Sequence, residues 1–229
     1  MALKNKVIIN VSIGSEESWY HKGTQRLLES LDKFGEKSDR IFTKKDTYEY
    51  GSPYADKMIA IHDAWMNGYR EILYLDCSLT ALKPLDELWN IIDDKGYYLY
   101  ESGMNCAQTC NDNSLSNFGI TRDLAASYNE AATNVIGING YEHFGQKIVM
   151  QMKMRVEDGS VFGKKWPNEQ ERLKESKDNR FLFHRQDQSV ISLIAGQYNM
   201  EIFKNDFVWR DENENKQTNK NIFRLKGGY

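Results

Sequence analysis

Between residues 68 and 78 the chain reads Gly68-Tyr69-Arg70-Glu71-Ile72-Leu73-Tyr74-Leu75-Asp76-Cys77-Ser78, an apolar run opened by glycine and stopped by a carboxylate. Near-continuous apolarity over so few residues predicts a strand from Arg70 to Leu75 buried on both faces, as in a parallel sheet. Asp76 then stands at the carboxyl end of that strand, where open α/β sheets bind their ligands. Upstream, Met58, Ile61 and Trp65 share one face of a helix predicted over 54–67, with Gly68 closing it. Before it come a short strand at Arg40-Ile41-Phe42 and a helix over 23–35. That helix carries Leu27, Leu28, Leu31 and Phe34 at helical spacing, with Gly35 as its stop. A β-branched strand from Lys6 to Gly14 opens the chain. Downstream, Pro84 starts a helix carrying Leu85, Leu88, Ile91 and Ile92, Gly96 ends it, and Tyr97 to Tyr100 is another strand. The order β-α-β-α-β-α-β predicts an α/β fold with a mostly parallel sheet flanked by helices.

Beyond residue 100 the pattern loosens. From 101 to 180 the chain is rich in Asn, Gly, Ser and Lys, with weak helical signals near 123–133 and 145–156. Loops elaborated over a rigid sheet commonly carry specificity, so an acceptor-gripping role is expected there. Regularity returns as a strand at Phe181 to His184, a helix from Asp187 to Gln197 and a strand at Met200 to Phe203. The run from Asp211 to Asn221 is wholly polar and reads as loop or linker. A single domain over 1–229 is expected, its pattern changing near residues 100 and 210, with a polar tail or linker over 211–229.

Composition narrows the function classes. With 30 basic and 33 acidic side chains among 229 residues, the net charge is −3, and the sequence pI is near 5.9. That balance argues against nucleic-acid binding through a general basic surface. Hydrophobic residues at 40% are enough for a real core, and no apolar run approaches a membrane span. Three cysteines are an odd number for a secreted disulfide framework and fit a reducing compartment, so a cytoplasmic location is expected.

Two local clusters carry candidate chemistry. Asp76 and Ser78 offer hard oxygen donors suited to Mg²⁺ or Mn²⁺ bridging phosphate oxygens; the competing reading is that Asp76 merely caps its turn. His184-Arg185-Gln186-Asp187 packs an imidazole, a guanidinium and a carboxylate at the start of a helix. His184 would be a metal or diphosphate contact, Arg185 a phosphate clamp, and Asp187 a base or sugar-binding group, although Asp187 is also a natural N-cap. Lys57, a cation near a helix N-terminus, hints at an anionic ligand there. Trp19, Tyr20 and His21 would stack on a base or pack together. Cys106 and Cys110 with distant His143 do not complete a zinc site, and glycine-rich nucleotide fingerprints are absent.

Taken together, Pro53-Tyr54-Ala55-Asp56-Lys57, the 68–78 run, Lys83-Pro84-Leu85-Asp86-Glu87-Leu88-Trp89 and His184-Arg185-Gln186-Asp187-Gln188-Ser189 resemble a GT-A-fold glycosyltransferase. The similarity spans roughly 6–100 and 181–203. It is closest to the glycosyltransferase domain encoded by large chlorella viruses, which would place the protein in a host cytoplasm. The resemblance implies a Rossmann-like, parallel or mixed sheet and transfer of a sugar from a nucleotide sugar, a UDP-sugar, to a glycan or glycoprotein acceptor. It implies Mn²⁺ or Mg²⁺ held by a DxD-type motif. Asp76 matches the first Asp of that motif, and Ser78 stands where the second would be, which removes one charge from the metal site. It further implies nucleotide contacts from Asn10, Ser12, Lys57, Asp76 and Arg185, metal contacts from Asp76, Ser78 and His184, and a catalytic Asp187. Two other readings stay open: a nucleotidyltransferase- or phosphatase-like enzyme working through Asp76, and a non-catalytic nucleotide-sugar-binding module. The tail leaves room for fusion to further domains.

Overall fold

A computed structural model describes residues 4–210 and 218–226. The chain begins with β1 (Lys4–Ile13), α1 (Trp19–Lys33), β2 (Asp39–Lys45), α2 (Pro53–Met66), β3 (Tyr69–Leu75), β4 (Leu79–Ala81), α3 (Asp86–Lys95) and β5 (Tyr97–Asn105). It continues through α4 (Cys106–Thr109), α5 (Asp112–Phe118), α6 (Arg122–Ala125), β6 (Asn129–Asn139), α7 (His143–Glu157) and α8 (Glu169–Glu175). It closes with α9 (Asp187–Gln197), β7 (Val208–Arg210) and β8 (Phe223–Leu225). No helix among the described residues is long and apolar enough to cross a membrane.

The main sheet has the order β2-β1-β3-β6-β5. β1 runs parallel to both β2 and β3, as the buried apolar runs predict, and β6 pairs antiparallel with both β3 and β5. The sheet is therefore mixed. Both faces are covered, which is why β1 and β3 do not alternate in polarity. Ile8 and Leu73 pack with Leu27, Leu31 and Trp89 on one face, while Val7, Ile9 and Ile72 pack with Met58 and Ile61 on the other. Local caps set the helix starts: the Ser52 hydroxyl accepts from the Ala55 amide at 3.1 Å, with Pro53 in the first turn. Gly96, at φ 82°, ends α3 in the left-handed conformation.

The structure corrects four expectations. The region read as weakly helical near 123–133 contains the short α6 and then β6, a central strand. Its small residues hid it: Ala131 donates its amide to the Ser192 hydroxyl at 2.8 Å, and a Cβ on Gly137 would lie 2.5 Å from Ile92 Cδ1. The strand expected at 181–184 is irregular instead; Leu182 and His184 donate to the Gln108 and Lys164 carbonyls, which belong to no common strand. The strand expected at 200–203 reduces to one bridge, from Phe203 to Tyr100. Finally, of the expected polar tail, 211–217 lie outside the described residues, but 218–226 are not linker. Ile222 and Phe223 are fully buried, and β8 pairs antiparallel with β4 and parallel with β7 in a second, three-stranded sheet.

Candidate active site

A cavity of about 480 Å³ opens beyond the carboxyl ends of β1 and β3. Three helices contribute residues of their first turns: Trp19 and Tyr20 from α1, Pro53 and Tyr54 from α2, and Asp187 and Gln188 from α9, with Lys57 one turn further along α2. Helix N-termini carry partial positive charge and unsatisfied amides, so their convergence favours an anion.

Asp76 lines this cavity and ends β3 as expected. Its amide donates to the Asn134 carbonyl of β6 at 2.9 Å, and its Oδ1 accepts from the Ser78 amide at 2.8 Å. The turn-capping role is thus real, but it occupies only Oδ1; Oδ2 has no protein donor among the described residues. Ser78 shares the cavity, on the same turn. The close packing of α1 fixes that turn, because a Cβ on Gly23 would lie 2.4 Å from the Cys77 carbonyl oxygen. Arg26 adds a hydrogen bond to the same oxygen at 3.1 Å.

Lys57 and Asp187 meet at the cavity floor. Nζ lies 2.7 Å from Oδ2, with the side chains 6% and 2% exposed. Lys57 also donates to the Thr133 carbonyl and sits 4.3 Å above the Tyr74 ring. One ammonium therefore ties α2 to α9 and β6. Arg185 lines the cavity and donates to Gln188 Oε1 at 3.0 Å. The remaining amide nitrogen of Gln188, Nε2, is buried with no partner among the described residues. An unmet buried donor costs about 1–3 kcal/mol, which a ligand oxygen in the cavity would recover.

Three residues expected at the site are placed elsewhere. Asn10 and Ser12 lie inside the protein: Asn10 Nδ2 donates to the Leu75 carbonyl at 2.6 Å, and its Oδ1 accepts from the Thr24 hydroxyl at 2.8 Å. Strand parity is the reason, since Val11 and Ile13 are the residues of β1 that line the cavity. His184 is fully buried, accepts the Asn111 amide at Nδ1 at 3.3 Å and does not line the cavity. Burial pushes its imidazole down to about 4, which marks a neutral core histidine.

Residues the sequence reading missed are mostly cations. Lys165, Arg210 and Lys226 line the cavity with Lys57 and Arg185. Lys165 donates to the Tyr54 hydroxyl at 3.0 Å. The only sequence signal for them is charge within polar stretches, which usually means solvated surface.

The donor set does not fit the divalent-cation site expected from the sequence. Of Asp76, Ser78 and His184, only the first two meet. The other carboxylate lining the cavity, Asp187, is held by Lys57, and no group of three His, Cys, Asp or Glu able to hold a metal occurs among the described residues. With Lys57 and Asp187 cancelling, Asp76 shares the cavity with four cationic side chains among the described residues. That field opposes a further cation and favours an anion.

The mixed sheet, the helices on both its faces and the crevice at the strand ends define the GT-A fold of glycosyltransferases. Among solved structures, the chain is similar to mouse xyloside xylosyltransferase 1 in its apo form. The TM-score is 0.54 at 11% identity, covering 90% of this chain and 87% of that one. It is also similar to galactosyltransferase LgtC in complex with donor and acceptor sugar analogues, with TM-score 0.48, 10% identity and coverage of 97% and 87%. A third similarity is to a glycosyltransferase involved in glycosylation of the major capsid of PBCV-1, with TM-score 0.43, 14% identity and coverage of 77% and 80%. No protein-family model matches the sequence, and no curated protein matches it.

Proposed function

We propose that the protein transfers a sugar from a UDP-sugar to a glycan or glycoprotein acceptor. The observation that carries this reading is the cavity itself: three helix N-termini, a surplus of cationic side chains and the aromatic pair Trp19 and Tyr20, at the strand ends of a GT-A sheet.

In this reading the uracil stacks against Trp19 or Tyr20, and Asp76 accepts from the ribose hydroxyls. The diphosphate lies against Arg185 and Lys165. As the bond from the anomeric carbon to the diphosphate oxygen breaks, its electron pair leaves with the diphosphate, and these cations stabilise the growing charge. The acceptor hydroxyl oxygen forms the new bond to the anomeric carbon and passes its proton to the departing diphosphate oxygen, which has gained the electron pair. Asp187, fixed by Lys57, leaves Oδ1 to accept from sugar hydroxyls and to counter oxocarbenium character at the anomeric carbon. Gln188 Nε2 donates to a donor-sugar or phosphate oxygen.

The test is release of nucleoside diphosphate from UDP-glucose, UDP-galactose, UDP-xylose, UDP-N-acetylglucosamine and GDP-mannose, with and without a mixed glycan acceptor pool. One UDP-sugar should be consumed, slowly by hydrolysis and faster with acceptor, and Arg185→Ala should slow it at least tenfold. Consumption of nucleoside triphosphates or phosphoesters instead would favour phosphate-transfer chemistry at Asp76. Binding of UDP-sugars without any turnover would make the protein a binding module.

A further inference from the structure

We infer, on the reading that the ligand is a nucleoside diphosphate sugar, that the donor diphosphate is neutralised by protein cations alone, with Arg210 and Lys226 taking the place of a divalent ion. The inference rests on how the small sheet is built. β4 follows the Asp76 turn directly, and β8 pairs with it, bringing Leu225 opposite Leu79. The next residue, Lys226, donates its amide to the Ser78 carbonyl at 3.1 Å, so this lysine is tied to the turn that carries Asp76. β7 lies on the other side of β8 and sets Arg210 opposite Leu225. The two cations are therefore neighbours on one sheet, and both line the cavity with Asp76 and Ser78.

Arg210 hydrogen-bonds the Tyr100 hydroxyl, a neutral partner that leaves its charge uncompensated. Arg210 and Lys226 form no salt bridge among the described residues, and the Arg210 Nε is buried without a hydrogen-bond partner there. A carboxylate at position 78 would stand beside Lys226 and neutralise it; serine does not. The departure from a two-carboxylate motif and the arrival of a lysine at the same turn thus have one electrostatic result. A site that would hold a cation against two phosphates becomes one that meets those phosphates directly. Two side-chain charges match the charge of a divalent ion, and an arginine fork suits phosphate oxygens. Unliganded, the cations repel one another, so an anion should also stabilise the fold.

Calorimetric titration of the full chain with UDP in EDTA and again in Mn²⁺ tests this. UDP should bind in EDTA with an affinity within threefold of that in Mn²⁺, and pyrophosphate in EDTA should raise the melting temperature. Lys226→Met and Arg210→Gln should each weaken UDP at least tenfold, about 1.4 kcal/mol, and leave uridine binding unchanged. Lys226 is exposed, so its variant serves if Arg210→Gln does not fold. UDP binding or donor turnover seen only with Mn²⁺ overturns the inference and leaves the transferase reading standing, as does a Lys226→Met protein of unchanged UDP affinity. Absence of UDP binding in both conditions overturns both.

Discussion

Replacing Asp187 with alanine would strand the Lys57 ammonium in the protein interior. The pair is 2.7 Å apart with side chains 6% and 2% exposed, so solvent cannot compensate the loss. Removing one partner of a buried pair costs about 3–5 kcal/mol. Lys57 keeps the Thr133 carbonyl and the Tyr74 ring, and a desolvated cation–π contact is worth up to about 2 kcal/mol. The expected loss is thus at the lower end, about 3 kcal/mol, against a typical total of about 5–15 kcal/mol. For a domain of this size that lowers the melting temperature by roughly 6–12 °C. Lys57→Met with Asp187→Leu should recover most of the loss, because no charge is then left buried. Urea unfolding followed by tryptophan fluorescence, for the two single variants and the double, measures all three. A loss below about 1 kcal/mol for Asp187→Ala, the value expected of a solvated pair such as Arg70–Asp93, would refute the account.

The buried His184 makes stability pH-dependent. Its imidazole is held down to about 4 against an ordinary 6.5, so the unfolded chain protonates first; about 3 kcal/mol present above pH 6.5 is lost as the pH falls toward 4. The stability difference between wild type and His184→Gln should shrink between pH 7 and 4.5, and a constant difference would refute this assignment. Gly23→Ala places a Cβ 2.4 Å from the Cys77 carbonyl oxygen; overpacking of this kind costs about 1–3 kcal/mol and should displace the Asp76 turn. Its UDP affinity should drop at least tenfold by calorimetry, and an unchanged affinity would show the turn to be tolerant. Cys77, Cys106 and Cys110 are free and buried, and burial pushes the Cys77 thiol up. Ellman's reagent at pH 8 should label none of them until urea is added, and rapid labelling of Cys77 in the native protein would contradict its burial.

The sheet was legible where both faces are covered by large apolar residues. β1 and β3 could be read from their aliphatic runs, and α9 from Val190, Ile191 and Ile194 following Asp187. β6 was not, because its packing demands Ala131, Ala132 and Gly137, residues that carry little strand signal of their own. Asp76, Lys57, Arg185 and Asp187, all of which line the cavity, could be singled out because an isolated charge at the end of an apolar element stands out. Asn10 and Ser12 were misplaced by one step of strand parity, and His184 by proximity in sequence to true cavity residues. Arg210 and Lys226 were invisible for a different reason. Their position depends on β8 pairing between β4 and β7, a long-range register that no local pattern encodes.

The bond from the Lys226 amide to the Ser78 carbonyl also has a consequence for synthesis. The Asp76 turn precedes β4 (Leu79–Ala81), but the strand that completes its wall comes only at Phe223–Leu225. A nascent chain can form β1, β3 and their helices well before β8 has left the ribosome, yet its cavity then lacks one side. A product terminated before residue 222 would keep every strand of the main sheet and lack β8 and Lys226, which line one side of the cavity.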